Sequence, residues 1–152
     1  MKKLVLAVLL CVASPFSVAA GLINQMQSCQ GLIDFLDAKL ESAPAKYAPS
    51  DVAKVRKGLE GYNRYIQNEI VTPGLLQFNG GDQTKTNVMQ QQVDAYKQTL
   101  VKQLQARYPQ NRLFTDHAVA VNDCAKKAVP QGAALDDLRD ALNIMVTLAK
   151  MN

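Results

Sequence analysis

The amino-acid sequence predicts an all-α protein, an antiparallel helical bundle of four to five helices with one inter-helix disulfide. Three observations lead to this prediction. Apolar residues recur at spacings of three and four in five successive segments, which is the periodicity of helices with one buried face. Prolines and glycines separate most of these segments, and the links are mostly short, as in a bundle. The alternation typical of a half-buried strand never extends over more than a few residues.

The first twenty residues have the three parts of a secretory signal peptide. Lys2 and Lys3 give a positive start, an apolar run extends from Leu4 to Val12, and Ser17–Ala20 supplies small residues for a peptidase. The apolar run is too short to span a bilayer, and no later stop-transfer segment is seen. We therefore expect residues 1–20 to be removed near Ala20, leaving one helical domain over 21–152 that is periplasmic or secreted.

Cys11 raises an alternative, because lipoproteins carry their lipid on a signal-peptide cysteine. Such a site normally has a small residue directly before the cysteine, and here that residue is Leu10. We therefore expect a signal peptide that is cleaved without lipid attachment.

The charge of the mature chain is small. Removing two lysines leaves 15 basic residues (17 − 2) against 13 acidic ones, a net charge of about +2. This charge gives no reason to expect nucleic acid or a membrane surface as the partner. The remaining length is enough for one domain with its own hydrophobic core.

Two cysteines, Cys29 and Cys124, remain in the mature chain. An even pair in an oxidising compartment most simply forms one disulfide. Both lie on the apolar faces of predicted helices, so a buried bond between the first and fourth helices is expected. The alternative, a redox pair or a metal site, has neither a Cys-x-x-Cys motif nor enough histidines to support it.

The first predicted helix runs from Gly21 to Ser42 and ends before Pro44, because a proline disfavours helical geometry in the preceding residue. The second begins at Ser50, whose hydroxyl can cap the first turn, and ends at Pro73–Gly74. Their apolar faces comprise Leu22, Met26, Cys29, Ile33, Leu36 and Leu40, and Val52, Val55, Leu59, Tyr62, Ile66 and Ile70.

Gly58 and Gly61 lie inside the second predicted helix, beside its apolar stripe. Each costs about 1 kcal/mol there relative to alanine. Close packing against a neighbouring backbone would account for them.

Three more helices are predicted, at about Thr86 to Tyr108, Leu113 to Ala128 and Ala133 to Met151. The third helix contains six glutamines, which we interpret as a solvated neutral face. The residues expected to point inward from it are Met89, Val93, Tyr96, Leu100 and Leu104.

Catalytic and metal-binding motifs are scarce. His117 is the single histidine, and it has no second ligand at helical spacing, so we expect no metal and no cofactor. The mature serines occur without a Gly-x-Ser-x-Gly motif. Two carboxylate pairs, Asp34 with Asp37 and Asp136 with Asp140, are expected on solvated helix faces. We therefore expect no catalytic residues and no enzymatic activity.

Two segments are candidates for binding a partner. Thr72 to Lys85 is expected to be a long loop that carries Leu75, Leu76 and Phe78 beside flexible glycines. These side chains either contact a partner or fold back over the open end of the bundle. Tyr65 and Arg64 form the second candidate, because tyrosine and arginine are frequent in interface hot spots.

The sequence therefore favours an exported, non-enzymatic protein that acts by protein–protein contact, such as an inhibitor, an immunity protein or a chaperone-like protein. Its partner would be another exported or envelope protein. One alternative is a carrier that holds a small apolar ligand in a cavity between helices, and a second is an enzyme of unrecognised type. A filled core with an exposed apolar segment would favour protein contact, and an internal void would favour the carrier.

Overall fold

The computed structural model describes residues 16–151, with side chains from residue 21 onwards. These residues form five helices and no strands, which confirms the predicted all-α bundle. Helix α2 consists of three consecutive segments, in which α-helical turns flank a π-helical one. The helices are α1 (Phe16–Glu41), α2 (Pro49–Tyr65, Ile66–Val71 and Thr72–Phe78), α3 (Gln83–Arg107), α4 (Thr115–Lys127) and α5 (Ala133–Ala149).

Four of the helices enclose the core. Helix α1 packs against α2 and α4, and α5 packs against both α2 and α4, which closes a four-helix arrangement. Helices α1 and α2 run in opposite directions, as the pairing of Gln30 with Gln67 and of Asp37 with Arg56 shows. Helix α3 lies outside this bundle and packs on α1 and on the last segment of α2.

The bundle is joined covalently and filled with apolar side chains. Cys29 of α1 and Cys124 of α4 form the predicted disulfide, with their Cα atoms 5.9 Å apart. Tyr62 is fully buried, and its hydroxyl donates a hydrogen bond to the Ala128 carbonyl oxygen (3.1 Å). The largest fully buried side chains are Tyr62, Phe35, Met26, Leu36, Leu59, Ile66, Leu113, Leu138, Met145 and Leu148.

The prediction of close backbone packing holds for one of the two glycines in α2. A Cβ atom at Gly58 would overlap the Asp137 carbonyl oxygen and lie 2.6 Å from the Ala141 Cβ atom of α5. A Cβ atom at Gly61 would have no atom within 4 Å. Gly58 therefore sets the approach of α2 to α5, and Gly61 has no such role.

Helix α3 is attached differently. Of its 25 residues, only Thr86 and Val93 are buried. Tyr96, which the sequence placed inward, is 51% exposed, so that prediction was wrong. Polar side chains form part of the contact between α3 and the bundle. The Gln30 side chain of α1 donates a hydrogen bond to Gln67 of α2 (3.0 Å), and the Gln67 side chain donates one to Gln90 of α3 (3.0 Å).

The expected end of the second helix at Pro73–Gly74 was wrong. The Thr72 amide donates to the Gln67 carbonyl oxygen, five residues back, in the π-helical turn directly before Pro73. A proline has no amide hydrogen and crowds the preceding turn, and the wider π turn accommodates it without ending the helix. The expected loop Thr72 to Lys85 is consequently helical except for a short turn around Gly80 and Gly81.

The start of α2 also differs from the prediction. Ala48 occupies the N-cap position and makes no side-chain capping bond, and Pro49 begins the helix, so Ser50 is not the cap. A proline fits the first helical position because that amide has no partner within the helix. Leu22, predicted to point inward, is 36% exposed.

The predicted signal peptide lies mostly in residues 1–15, outside the described part of the chain, as does Cys11. Cleavage near Ala20 therefore stays a prediction. Within residues 16–151, no helix is long and apolar enough to cross a membrane.

Candidate functional site

The turn between α2 and α3 closes a helical hairpin at one end of the molecule. Asn79 ends α2, and its side-chain amide donates to the Leu75 carbonyl oxygen (2.8 Å). Gly80 and Gly81 follow with φ angles of 64° and 84°, which glycine adopts without strain. Asp82 then caps α3 by accepting the Lys85 amide (3.0 Å). The turn is thus fixed by local bonds on both sides.

The three apolar residues predicted for this segment have different environments. Leu75 is only 4% exposed and belongs to the core, where a partner cannot reach it. Leu76 is half-buried. Phe78 is 57% exposed, the highest value for a large apolar side chain in the described part of the chain. Of the three, Phe78 is therefore the accessible one.

Two further exposed apolar residues lie at the same end of the molecule. A Cβ atom at Gly74 would lie 2.8 Å from Ile23 Cγ1, which places the start of α1 beside this part of α2, and Leu22 is adjacent. The Asn79 side chain contacts Met89 Sδ at 3.7 Å, and Val88, next to Met89, is 53% exposed. We call Leu22, Phe78 and Val88 the hairpin-end surface.

The second predicted pair is distant from this surface. Tyr65 is half-buried and stacks on Tyr62, with ring centroids 6.3 Å apart and an interplanar angle of 14°. Arg64 is exposed and forms an ion pair with Glu60 in the same helix. Tyr65 and Phe78 are 13 residues apart on one continuous helix, which corresponds to about 20 Å. The two candidates therefore do not form one site.

A charged cleft of about 560 Å³ lies between α1 and α2. Arg56 spans it and donates two hydrogen bonds to Asp37, at 2.7 and 3.0 Å. These bonds raise the pKa of Arg56 further above its usual value. The cleft is open to solvent, and its charged side chains are Asp34, Asp37, Glu41, Arg56, Lys57 and Glu60.

Asp34 departs from the solvated environment expected for it. It is half-buried, and burial raises the pKa of its carboxyl group. The Lys97 charge and a hydrogen bond from Asn63 Nδ2 (2.9 Å) lower this pKa and so act against the effect of burial. The sequence showed Asp34 and Asp37 one turn apart. It could not show that Asn63 and Arg56 face them, because that depends on the alignment of α2 along α1.

Asp136 and Asp140 remain on an exposed face, as expected. In the described part of the chain, no three His, Cys, Asp or Glu side chains come together in a way that could hold a metal ion. His117 is buried among aromatic rings at the other end of the bundle from the hairpin.

Comparison with protein-family models, with curated proteins and with solved structures finds no match for this chain.

Proposed function

We propose that this is an exported, non-enzymatic protein that binds another exported or envelope protein through the hairpin-end surface. The observation that carries the proposal is the exposure of Phe78. Covering a phenylalanine residue that has more than half of its surface in water lowers the free energy, and aromatic residues often dominate interface energetics.

The backbone that presents Phe78 supports the proposal. Because the turn is fixed by Asn79 and Asp82 and Leu75 anchors the preceding helical turn in the core, little ordering is needed when a partner binds. Preorganised contacts of this kind lose less conformational entropy on association.

The disulfide bears on the cellular compartment, and the charged cleft bears on the alternative function as a carrier. The Cys29–Cys124 disulfide is consistent with an oxidising compartment, which fits the predicted export. The carrier alternative needs an apolar cavity, whereas the cleft between α1 and α2 is open to solvent and lined by charged side chains. This contrast favours protein contact over transport of an apolar ligand.

Site-specific photo-crosslinking tests the proposal. Residues 21–152 would be purified with a photo-reactive phenylalanine derivative at position 78 and irradiated in an extract of the cell envelope. A matched protein would carry the same group at position 119, because Val119 is equally open (53% exposed) but lies on α4. We expect a discrete cross-linked species from position 78 that position 119 does not give.

The substitution Phe78→Ser separates binding from stability. With the photo-reactive group placed instead at the exposed neighbour Gln77, we expect Phe78→Ser to abolish the cross-link that the protein with Phe78 gives. The melting temperature should stay within about 2 °C, because an exposed substitution usually changes stability little. Leu75→Ser, at the buried neighbour, should lower the melting temperature clearly. Equal cross-linking from positions 78 and 119, or none from either, would contradict the proposal.

A further inference from the structure

His117 lies in a closed aromatic environment at the end of the bundle where α3 connects to α4. His117 is only 2% exposed. The rings of Phe35, Tyr108 and Phe114 surround the imidazole, with centroid distances of 5.5, 4.9 and 5.3 Å, and all three meet it edge to face. The cluster joins α1, α4 and the connecting segment 108–114, which we call the strap.

The hydrogen bonds of His117 require the neutral imidazole. The Phe114 amide donates to His117 Nδ1 (3.3 Å), and the His117 amide donates to the Phe114 carbonyl oxygen (3.0 Å). Because Nδ1 accepts a bond, the ring proton resides on Nε2, which is buried and has no partner among the described residues. A second proton would have to bind Nδ1, where it would face the Phe114 amide hydrogen and break that bond.

The charges near the ring also disfavour an imidazolium. Lys39 of α1 faces the cluster, with Nζ 5.0 Å from the Phe35 ring centre. Arg107, at the end of α3, lies over the Tyr108 ring, and Arg112 of the strap lies over the Phe114 ring. Asp116, in the first turn of α4, is the carboxylate that acts in the opposite sense. Burial, followed by the Lys39 charge, lowers the pKa of His117 to about 4.

The strap has further attachments to the bundle, including Leu113, whose side chain is fully buried. Lys39 Nζ donates to the carbonyl oxygens of Tyr108 (2.8 Å) and Gln110 (2.6 Å). The Leu113 amide donates to the Tyr47 hydroxyl (3.0 Å), and the Asn111 side chain donates to the Ser42 carbonyl oxygen. The strap also ends α3, so it ties the last turn of that helix to the bundle.

We propose that His117 is a proton-sensitive latch, and that a proton bound at Nδ1 releases the strap and the C-terminal end of α3 from the four-helix bundle. The released segment exposes the Phe35, Tyr108 and Phe114 rings and the buried Leu113 side chain. The disulfide and the α2–α5 contact lie outside the strap, so the bundle itself stays folded. The latch is independent of the hairpin-end surface.

The direction of the pH dependence follows from the neutral state. The pKa of His117 is lower when the strap is closed than when the strap is released. The neutral imidazole therefore stabilises closure fully above the ordinary histidine pKa of 6.5, and this stabilisation is lost as the pH falls towards 4. A difference of this size corresponds to a roughly 100-fold rise in the opening equilibrium between pH 7 and pH 4.

Hydrogen exchange and NMR on the disulfide-bonded mature protein test the latch. The single histidine gives one imidazole signal, and its titration can be compared with the protection factors of the Leu113 and Phe114 amides, corrected for intrinsic exchange rates. We expect protection of these amides to fall about 100-fold from pH 7 to pH 4 while the imidazole titrates. Amides of Val55 and Leu59 in α2 should stay protected.

His117→Phe serves as the matched control, because it keeps an aromatic ring and cannot take up a proton. Its strap protection should be independent of pH, and His117→Leu provides the same comparison if the phenylalanine variant does not fold. The proposal is overturned if wild-type strap protection persists at pH 4, if the imidazole titrates near 6.5 without opening, or if a folded variant loses protection as the wild type does.

Discussion

Helix α1 of the four-helix bundle and helix α3 have similar lengths but are attached to the rest of the molecule in different ways. Helix α1 extends over 26 residues and α3 over 25, but α1 contributes a full row of buried apolar side chains and α3 has only two buried residues. The bundle also has a disulfide and a close backbone contact at Gly58. Helix α3 depends on polar contacts for part of its attachment.

The polar contact through Gln30, Gln67 and Gln90 fixes the alignment of α3 on the bundle more than it stabilises the fold. Gln90 of α3 accepts from Gln67 and donates to Asp94 (3.0 Å), which also pairs with Lys97 (2.9 Å). A typical hydrogen bond contributes only about 0.5–1.5 kcal/mol net, because it replaces bonds to water. The Gln30 Oε1 atom is buried without a partner among the described residues, which is unfavourable. We therefore expect α3 to be the less stable part of the fold.

Removing the disulfide is expected to have the largest effect, and it acts on the bundle. The double substitution Cys29→Ser and Cys124→Ser should lower the free energy of unfolding by about 2–5 kcal/mol, because the unfolded chain regains the freedom of a long closed loop. Urea denaturation of both proteins gives this difference. Two alkylatable thiols in the native protein, or an unchanged denaturation midpoint, would contradict it.

Two glycines in α2 offer a sharper comparison within the bundle. Gly58→Ala should destabilise by about 1–3 kcal/mol, because the new methyl group overlaps α5. Gly61→Ala should stabilise by about 0.5–1 kcal/mol, because it improves helix propensity in open space. Thermal unfolding of the two variants should therefore shift in opposite directions, and a Gly58→Ala variant as stable as the wild type or more stable would show that α2 and α5 are not in close contact.

A matched pair of valines compares the two regions directly. Val55 of α2 is fully buried and Val93 of α3 is 7% exposed. Val55→Ala should cost about 2–3 kcal/mol, the lost burial plus the cavity that remains. Val93→Ala should cost about 1 kcal/mol, because α3 can settle into the gap from its open side. Chemical denaturation measures both, and equal costs would mean that α3 is held as tightly as the bundle.

The fold class, the disulfide and five helical segments could be predicted from the sequence, because they follow from local periodicity and from two cysteines on apolar faces. The continuation of α2 through Pro73 could not be predicted, because proline normally ends a helix. The π turn that accommodates this proline leaves no sequence signal. The spacing of Tyr96 fits the apolar stripe and therefore predicts an inward side chain. Helix α3 packs on one side only, however, and which side is covered depends on the tertiary arrangement.

The candidate surface was predicted only in part. Apolar residues next to glycines pointed to the segment that contains Phe78, but periodicity could not separate the buried Leu75 from the exposed Phe78 in an expected loop. The His117 cluster was missed, because its aromatic partners come from α1, the strap and α4 and meet only in the folded chain. The single histidine is the one signal that the sequence offers, and its spacing bears only on metal binding.

Native-state hydrogen exchange at pH 7 tests the difference between the two regions most directly. We expect the amides of α3, residues 83–107, to exchange through local opening with a free energy at least about 2 kcal/mol below that of the slowest amides in α2 and α5. Removal of the disulfide should lower the values in the bundle and leave those in α3 nearly unchanged. If α3 amides exchange only with the global unfolding free energy, α3 is an integral part of the bundle and the contrast between the two regions is wrong.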